Sequence, residues 1–167
     1  MRGFLLPISG MNHAVLYVRD AKRHQRFYED VLGFTTVIEH PGGAYVFMRA
    51  PGATVNHHDI AFFTIGSQAA ASDAGRRTVG MYHIAWQVPT LAELAEMRDR
   101  LAAAGALHGA SDHGNNKSLY AKDPDGLEFE VMWLVPADHW GDAEHEAIIE
   151  PLDIEGDRKK FAEAGLS

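Results

Sequence analysis

The run Asn12-His13-Ala14-Val15-Leu16-Tyr17-Val18 has a second version 70 residues on, Tyr82-His83-Ile84-Ala85-Trp86-Gln87-Val88. Each is an apolar strand opened by a histidine, and each is followed by the same order of signals. In the first half Asp20 caps a helix that reaches Leu32, with Phe27, Val31 and Leu32 near one face, and Gly33 ends it as a left-handed position after the last turn requires. Strands over 34–40 and 44–49 flank the turn signal Pro41-Gly42-Gly43, and a further strand covers 58–65. In the second half Pro89-Thr90 lead into a helix over 91–104, stopped by Gly105. Strands follow around 107–111 and 118–122, then the turn Asp123-Pro124-Asp125-Gly126 and a closing strand over 127–135. From strand histidine to helix-ending glycine is 20 residues in one copy (His13 to Gly33) and 22 in the other (His83 to Gly105).

A repeated β-α-β-β-β unit predicts an α+β fold of two tandem modules, about 11–66 and 80–135, joined by a linker rich in Ala, Ser and Gly. Together they form one domain over 1–135. Residues 136–167 are a C-terminal extension, acidic, carrying Trp140 and a short amphipathic stretch near Arg158 to Ala164. Two four-stranded sheets related by a pseudo-twofold are expected to curl into a mixed-sheet cup.

Strand parity assigns the faces, because alternate residues share a side. Ala14, Leu16 and Val18 form one wholly apolar face, Ile84, Trp86 and Val88 its counterpart, and Leu127, Phe129, Val131 and Trp133 a third. These are expected under the helices. The opposite faces carry His13 and Tyr17, His83 and Gln87, and Glu128 and Glu130.

That distribution points to metal chemistry. The chain has no cysteine and ten histidines, so a metal must sit on His, Asp or Glu. His13 and His83 occupy equivalent positions, which the symmetry brings together across the cup. Glu130, amid Phe129, Val131, Met132 and Trp133, is costly to bury unless paired or metal-bound. Glu128 shares its face and is the fallback ligand. Glu130 lies 47 residues after His83, and 47 residues after His13 stands Ile60, which cannot bind a metal. Two histidines and one carboxylate then leave open coordination positions, as a facial triad holding Fe(II) does. His58, placed by parity in the cup and not needed as a ligand, suits a general base. His113 and Tyr120, before the Asp123 turn, can each donate a hydrogen bond to an anionic oxygen. Val15, Tyr17, Phe62 and Met132 are expected in the pocket wall.

The remaining composition excludes some function classes. A net charge of -8, with no basic cluster longer than Arg158-Lys159-Lys160, argues against nucleic acid. No segment is long and apolar enough to span a bilayer, and Met1 to Pro7 is too short an apolar start for a signal peptide. The expectation is a soluble, cytoplasmic domain with no membrane partner.

The residues resemble the vicinal oxygen chelate (glyoxalase/bleomycin resistance/dioxygenase) superfamily over roughly Met11 to Val135, through the paired modules. Within it, the run His113-x5-Leu119-Tyr120-x2-Asp123-Pro124-x-Gly126-x3-Glu130 is similar to the signature of the type I extradiol ring-cleaving dioxygenases. The pair His57-His58 before an apolar strand, with His83 opening the next module, is similar too. Ser111 departs from the signature, and many members carry an extra pair of modules that this chain lacks. The resemblance implies His13, His83 and Glu130 as iron ligands, His58 as acid-base catalyst, and His113 and Tyr120 as substrate contacts.

The expected function is thus a single-domain, Fe(II)-dependent extradiol dioxygenase acting on a small aromatic diol and O2, as a homo-oligomer, a dimer. Two other readings lie on the same fold. One is a glyoxalase-like isomerase or a fosfomycin-resistance-like thiol transferase using Mn, Ni or Zn. The other is a metal-free drug-binding resistance protein.

Overall fold

Capping chemistry sets where the helices begin and end. In the computed structural model, which describes residues 8–52 and 54–163, Asp20 has extended backbone and its carboxylate accepts hydrogen bonds from the N–H groups of Lys22 and Arg23 at 2.9 and 3.2 Å, opening helix α1 (Ala21–Asp30). Thr90 opens helix α2 (Leu91–Ala103) in the same way. Its hydroxyl accepts from the Glu93 N–H, while the Glu93 carboxylate accepts from the Thr90 hydroxyl. Gly33 and Gly105 follow the two helices at φ 75° and 65°, a backbone that favours glycine. The readings of Met1 to Pro7, and of Ala164 at the end of the amphipathic stretch, lie outside the described residues.

Around each helix the strands form one four-stranded mixed sheet. In the first, β1 (Ala14–Val18), β2 (Thr35–Glu39), β3 (Tyr45–Arg49) and β4 (Ile60–Thr64) lie in the order β1-β4-β3-β2, with β1 and β4 parallel. In the second, β5 (His83–Gln87), β6 (Leu107–Asp112), β7 (Asn116–Lys122) and β8 (Glu128–Leu134) lie in the order β5-β8-β7-β6, with β5 and β8 parallel. The chain divides into two compact units after Ala69, the first with one sheet and α1, the second with one sheet, α2 and the C-terminal extension. This is the repeated β-α-β-β-β unit expected from the sequence, in an α+β fold. No helix among the described residues is long and apolar enough to cross a membrane.

The expected apolar faces are buried in the middle of each sheet, while Leu16 on β1 and the face formed by Ile84, Trp86 and Val88 are only half-buried. Ala14, Val18, Val46, Met48, Ile60 and Phe62 are buried in the first unit, and Leu119, Ala121, Phe129, Val131 and Trp133 in the second. The buried face of α1 differs from the expected one: it is Ala21, His24 and Tyr28, with Leu32 beyond, whereas Phe27 and Val31 are only half-buried. His24 tolerates complete burial because its Nδ1 bonds the Asp20 carbonyl at 3.0 Å and its ring lies on Phe62.

Register corrects two further expectations. Ala85 pairs with Glu130, whereas Val15, the residue at the same place in the first unit, pairs with Ala61. The first unit thus has one residue more between its strand histidine and the position that matches Glu130. Ala61, not Ile60, is the counterpart. Ile60 pairs with Ala14 and belongs to the helix-side core. Phe62 goes with it, wedged against Tyr28 and His24, so it is no part of a wall on the histidine face; Phe63 has that parity. Alanine offers no donor, so the absence of a ligand there stands.

The C-terminal extension is structured. Two 3-10 turns, Ala137–His139 and Gly141–Glu144, lead to helix α3 (Ile154–Glu163), which packs on α2 and sets Phe161 edge-on to Trp133 at 5.0 Å between centroids. Between them the chain runs beside the edge strand β6, where Asp112 and Glu150 exchange backbone hydrogen bonds of 2.8 and 2.9 Å. Covering the edge satisfies donors and acceptors that would otherwise remain open.

Candidate metal and diol site

In the second unit the candidate residues share one sheet face because of register. His83 stands opposite Glu128, Ala85 opposite Glu130, and Tyr120 opposite Glu130 on the other side. His83 Nε2 is 3.0 Å from Glu130 Oε2. Glu130 is only 5% exposed, and its second oxygen accepts a short hydrogen bond from the Ser118 hydroxyl. A buried carboxylate held by one hydroxyl and one imidazole retains acceptor capacity. A 3.0 Å separation of nitrogen and oxygen is also that of two adjacent corners of an octahedron with ligand distances of roughly 2.1 Å. The His83 and Glu130 donors therefore fit two neighbouring positions on a divalent ion.

Glu128 flanks this pair. Its Oε2 meets His108 Nε2 at 3.1 Å, and Tyr82 hydrogen-bonds to the same carboxylate, which holds the Tyr82 phenol above its ordinary pKa. Glu128 Oε1 and His83 Nδ1 are both buried with no hydrogen-bond partner, 4.0 Å apart.

Beside Glu130, Tyr120 and His113 form a pair, with His113 Nε2 2.9 Å from the Tyr120 oxygen and His113 Nδ1 2.8 Å from the Ile148 carbonyl. Burial, and then the Glu130 carboxylate, push the Tyr120 pKa up, so the phenol stays neutral.

In the first unit His13 and His58 lie together, ring centroids 4.4 Å apart. The Asn12 amide nitrogen donates to Asn56 Oδ1, which turns Asn12 Oδ1 toward His13 Nδ1 at 2.7 Å. An amide oxygen only accepts, so Nδ1 of His13 carries the proton and Nε2 keeps a free lone pair. This is the tautomer that a metal-binding imidazole uses. His58 sits edge-on to Phe47 at 4.9 Å, shares Nδ1 with His57 Nδ1 at 3.1 Å, and has a buried Nε2 with no partner. Desolvation, then the neighbouring His13 and His57, lower its pKa, so His58 is a neutral base at pH 7. Asp59 is absorbed structurally, accepting from Ala50 N–H, the Thr54 hydroxyl and the Asn56 amide.

Of the residues expected from sequence, His83, Glu130, Tyr120 and His113 are thus neighbours in the second unit, and His13 and His58 in the first. Among the described residues no three His, Asp or Glu side chains gather as a group that could hold a metal ion. Three contributors were missed. Ser118 has the parity of Tyr120 and was legible. His108 reaches Glu128 through the irregularity between Leu107 and Gly109, which alternation hides. Ile148 acts through its backbone, which leaves no residue-type signal.

A model of the Glyoxalase/Bleomycin resistance protein/Dioxygenase superfamily matches residues 10–131. The chain belongs to this superfamily. Two dioxygenases are similar to it in sequence. Catechol-2,3-dioxygenase of Bacillus subtilis (strain 168) is 28% identical over 149 residues, covering 87% of this chain and 50% of the relative. Biphenyl-2,3-diol 1,2-dioxygenase 3 of Rhodococcus globerulus is 31% identical over 121 residues, covering 72% of this chain and 60% of the relative. The chain thus spans about half the length of these relatives. Among solved structures, a glyoxylase/bleomycin resistance protein/dioxygenase domain from Frankia sp. EAN1pec matches with a TM-score of 0.64 at 21% identity, over 81% of this chain and 98% of that one. At that identity the likeness concerns the superfamily fold.

Proposed function

We propose that this superfamily member is an extradiol dioxygenase that opens a catechol-type ring with O2, using Fe(II) held by His83, Glu130 and His13. The observation that carries the reading is the 3.0 Å His83–Glu130 pair with the Tyr120–His113 pair on the same sheet face. The likeness to two dioxygenases named for aromatic diols supports it.

Iron bound there would polarise the diol oxygens and allow reaction with O2, chemistry no side chain supplies. The residues supply orientation and proton transfer. Ser118 holds Glu130 in one rotamer, and Asn12 presents His13 with Nε2 free. His58, neutral and with its Nε2 unpartnered, takes the proton from a diol hydroxyl and returns it as the ring opens. Tyr120, held in place by its hydrogen bond to His113, binds the second oxygen. The reaction balances without an external reductant. One C–C bond beside the diol breaks, both atoms of O2 end on the two carbons it joined, and the ring supplies the electrons.

The test is Fe(II)-loaded protein prepared without air, mixed with a panel of catechols and then exposed to O2. One O2 consumed per yellow ring-opened product is the expected result. O2-independent turnover with Mn, Ni or Zn, or no O2 uptake across the panel, contradicts the reading.

A further inference from the structure

His113 is fixed by a group outside both repeated modules. Its Nδ1 lies 2.8 Å from the backbone carbonyl of Ile148, in the C-terminal extension. A carbonyl only accepts, so this contact requires a proton on Nδ1. The neutral ring then has a lone pair on Nε2, and the Tyr120 hydroxyl 2.9 Å away must be the donor.

The carbonyl is held from several sides. Two residues on, Glu150 exchanges both backbone hydrogen bonds with Asp112 and accepts from the Ser111 hydroxyl. The Asn115 amide reaches the Ala143 carbonyl. Gly114, next to His113, has φ 75°, and a Cβ there would stand 2.5 Å from Ala143 Cβ and 3.1 Å from the Ile148 side chain. The extension thus packs onto the 113–115 turn at van der Waals distance. Beyond it, the buried Lys117 ammonium pairs with Asp112 and lies 3.5 Å from Asp157 of α3.

We infer that the C-terminal extension is a positioning element of the candidate site: the Ile148 carbonyl fixes His113 as the Nδ1–H tautomer, which commits the Tyr120 proton to His113 and leaves the Tyr120 oxygen as an acceptor. The substrate group facing Tyr120 is then a hydroxyl that donates, as a protonated aromatic diol does, rather than an anionic oxygen that accepts. This consequence rests on the ring-cleavage reading. The tautomer itself does not.

The test is long-range 1H–15N correlation NMR on the whole chain labelled with 15N-histidine, without metal or substrate, with His113 assigned by the signal missing in His113→Asn. An Nδ1–H tautomer is expected, the opposite of free histidine, whose major form is Nε2–H. Finding Nε2–H in the wild-type chain overturns the inference. Tyr120→Phe should retain Nδ1–H while the Nε2 signal moves to that of an unbonded acceptor; a switch to Nε2–H would mean that Tyr120, not the extension, sets the tautomer. Glu150→Pro, which deletes one of the two bonds to Asp112, should shift His113 toward Nε2–H, and an unchanged tautomer in a folded spectrum counts against the idea. If that variant does not fold, the first two measurements decide. Because no substrate is present, failure of ring cleavage leaves this result standing, and ring cleavage by protein with an Nε2–H His113 overturns this inference alone.

Discussion

His83 Nδ1 and Glu128 Oε1 face each other at 4.0 Å, both buried and neither hydrogen-bonded. A carboxylate behind a ligand imidazole orients the ring and raises its basicity once the two close to hydrogen-bonding distance. Glu128 is thus placed to support His83 rather than to replace Glu130. Glu128→Gln is expected to weaken divalent-metal binding about 10- to 100-fold, read by anaerobic titration calorimetry. Glu130→Gln, His83→Ala and His13→Ala should abolish stoichiometric binding. Equal losses at Glu128 and Glu130 would make Glu128 a ligand.

His58 is assigned proton transfer and not metal binding. His58→Gln should retain the iron content of the wild type while kcat falls by roughly 10²- to 10⁴-fold, the usual contribution of a positioned acid-base group. Loss of iron in this variant would reassign His58 as a ligand; an unchanged rate would remove it from the mechanism.

The extension's hold on the second unit depends on Phe161, which is 3% exposed and edge-on to Trp133. Removing a buried phenyl costs about 3–5 kcal/mol through lost transfer energy and the cavity left behind. Phe161→Ala should lower stability by about that amount in urea unfolding. A change under about 1 kcal/mol would mean that α3 is not docked as described.

Asp157 gives the extension a pH dependence. Burial, the largest cause, raises its pKa above 3.8, and Asp112 adds to this, while Lys117 opposes it. The unfolded carboxyl loses its proton near 3.8 and the folded one at higher pH. Between the two values the folded state binds more protons, so this group's contribution falls as pH rises through the window and recovers on acidification. The stability difference between wild type and Asp157→Asn should therefore change with pH in that window and be flat above it. Chemical denaturation from pH 4 to 8 measures it, and a pH-independent difference would contradict the assignment.

Much of this architecture could be read from local chemistry. Asp20, Thr90, Gly33 and Gly105 mark helix ends because capping and a left-handed backbone select few residue types. The two faces of each strand followed from alternation, and so did the shared side of His83 and Glu130, whereas the place of Tyr120 opposite Glu130 came with the strand pairing. Pairing is where the reading slipped, because counting residues cannot see one extra residue between paired strands. That residue moved the Glu130 counterpart from Ile60 to Ala61 and put Phe62 in the core. His24 was hidden because a polar ring gains full burial only through partners, here the Asp20 carbonyl and Phe62, that appear once the helix is folded. The Ile148 carbonyl has no signature in residue type at all.

The central claim is that the chain inserts oxygen from O2 into an aromatic diol beside its hydroxyls. The most direct measurement is mass spectrometry of the product formed by Fe(II)-loaded protein and catechol under 18O2 in ordinary water. The account predicts label in the new carboxylate of a ring-opened product, and none when 16O2 is supplied instead. An unlabelled product, or turnover that continues at the same rate without O2, would contradict it.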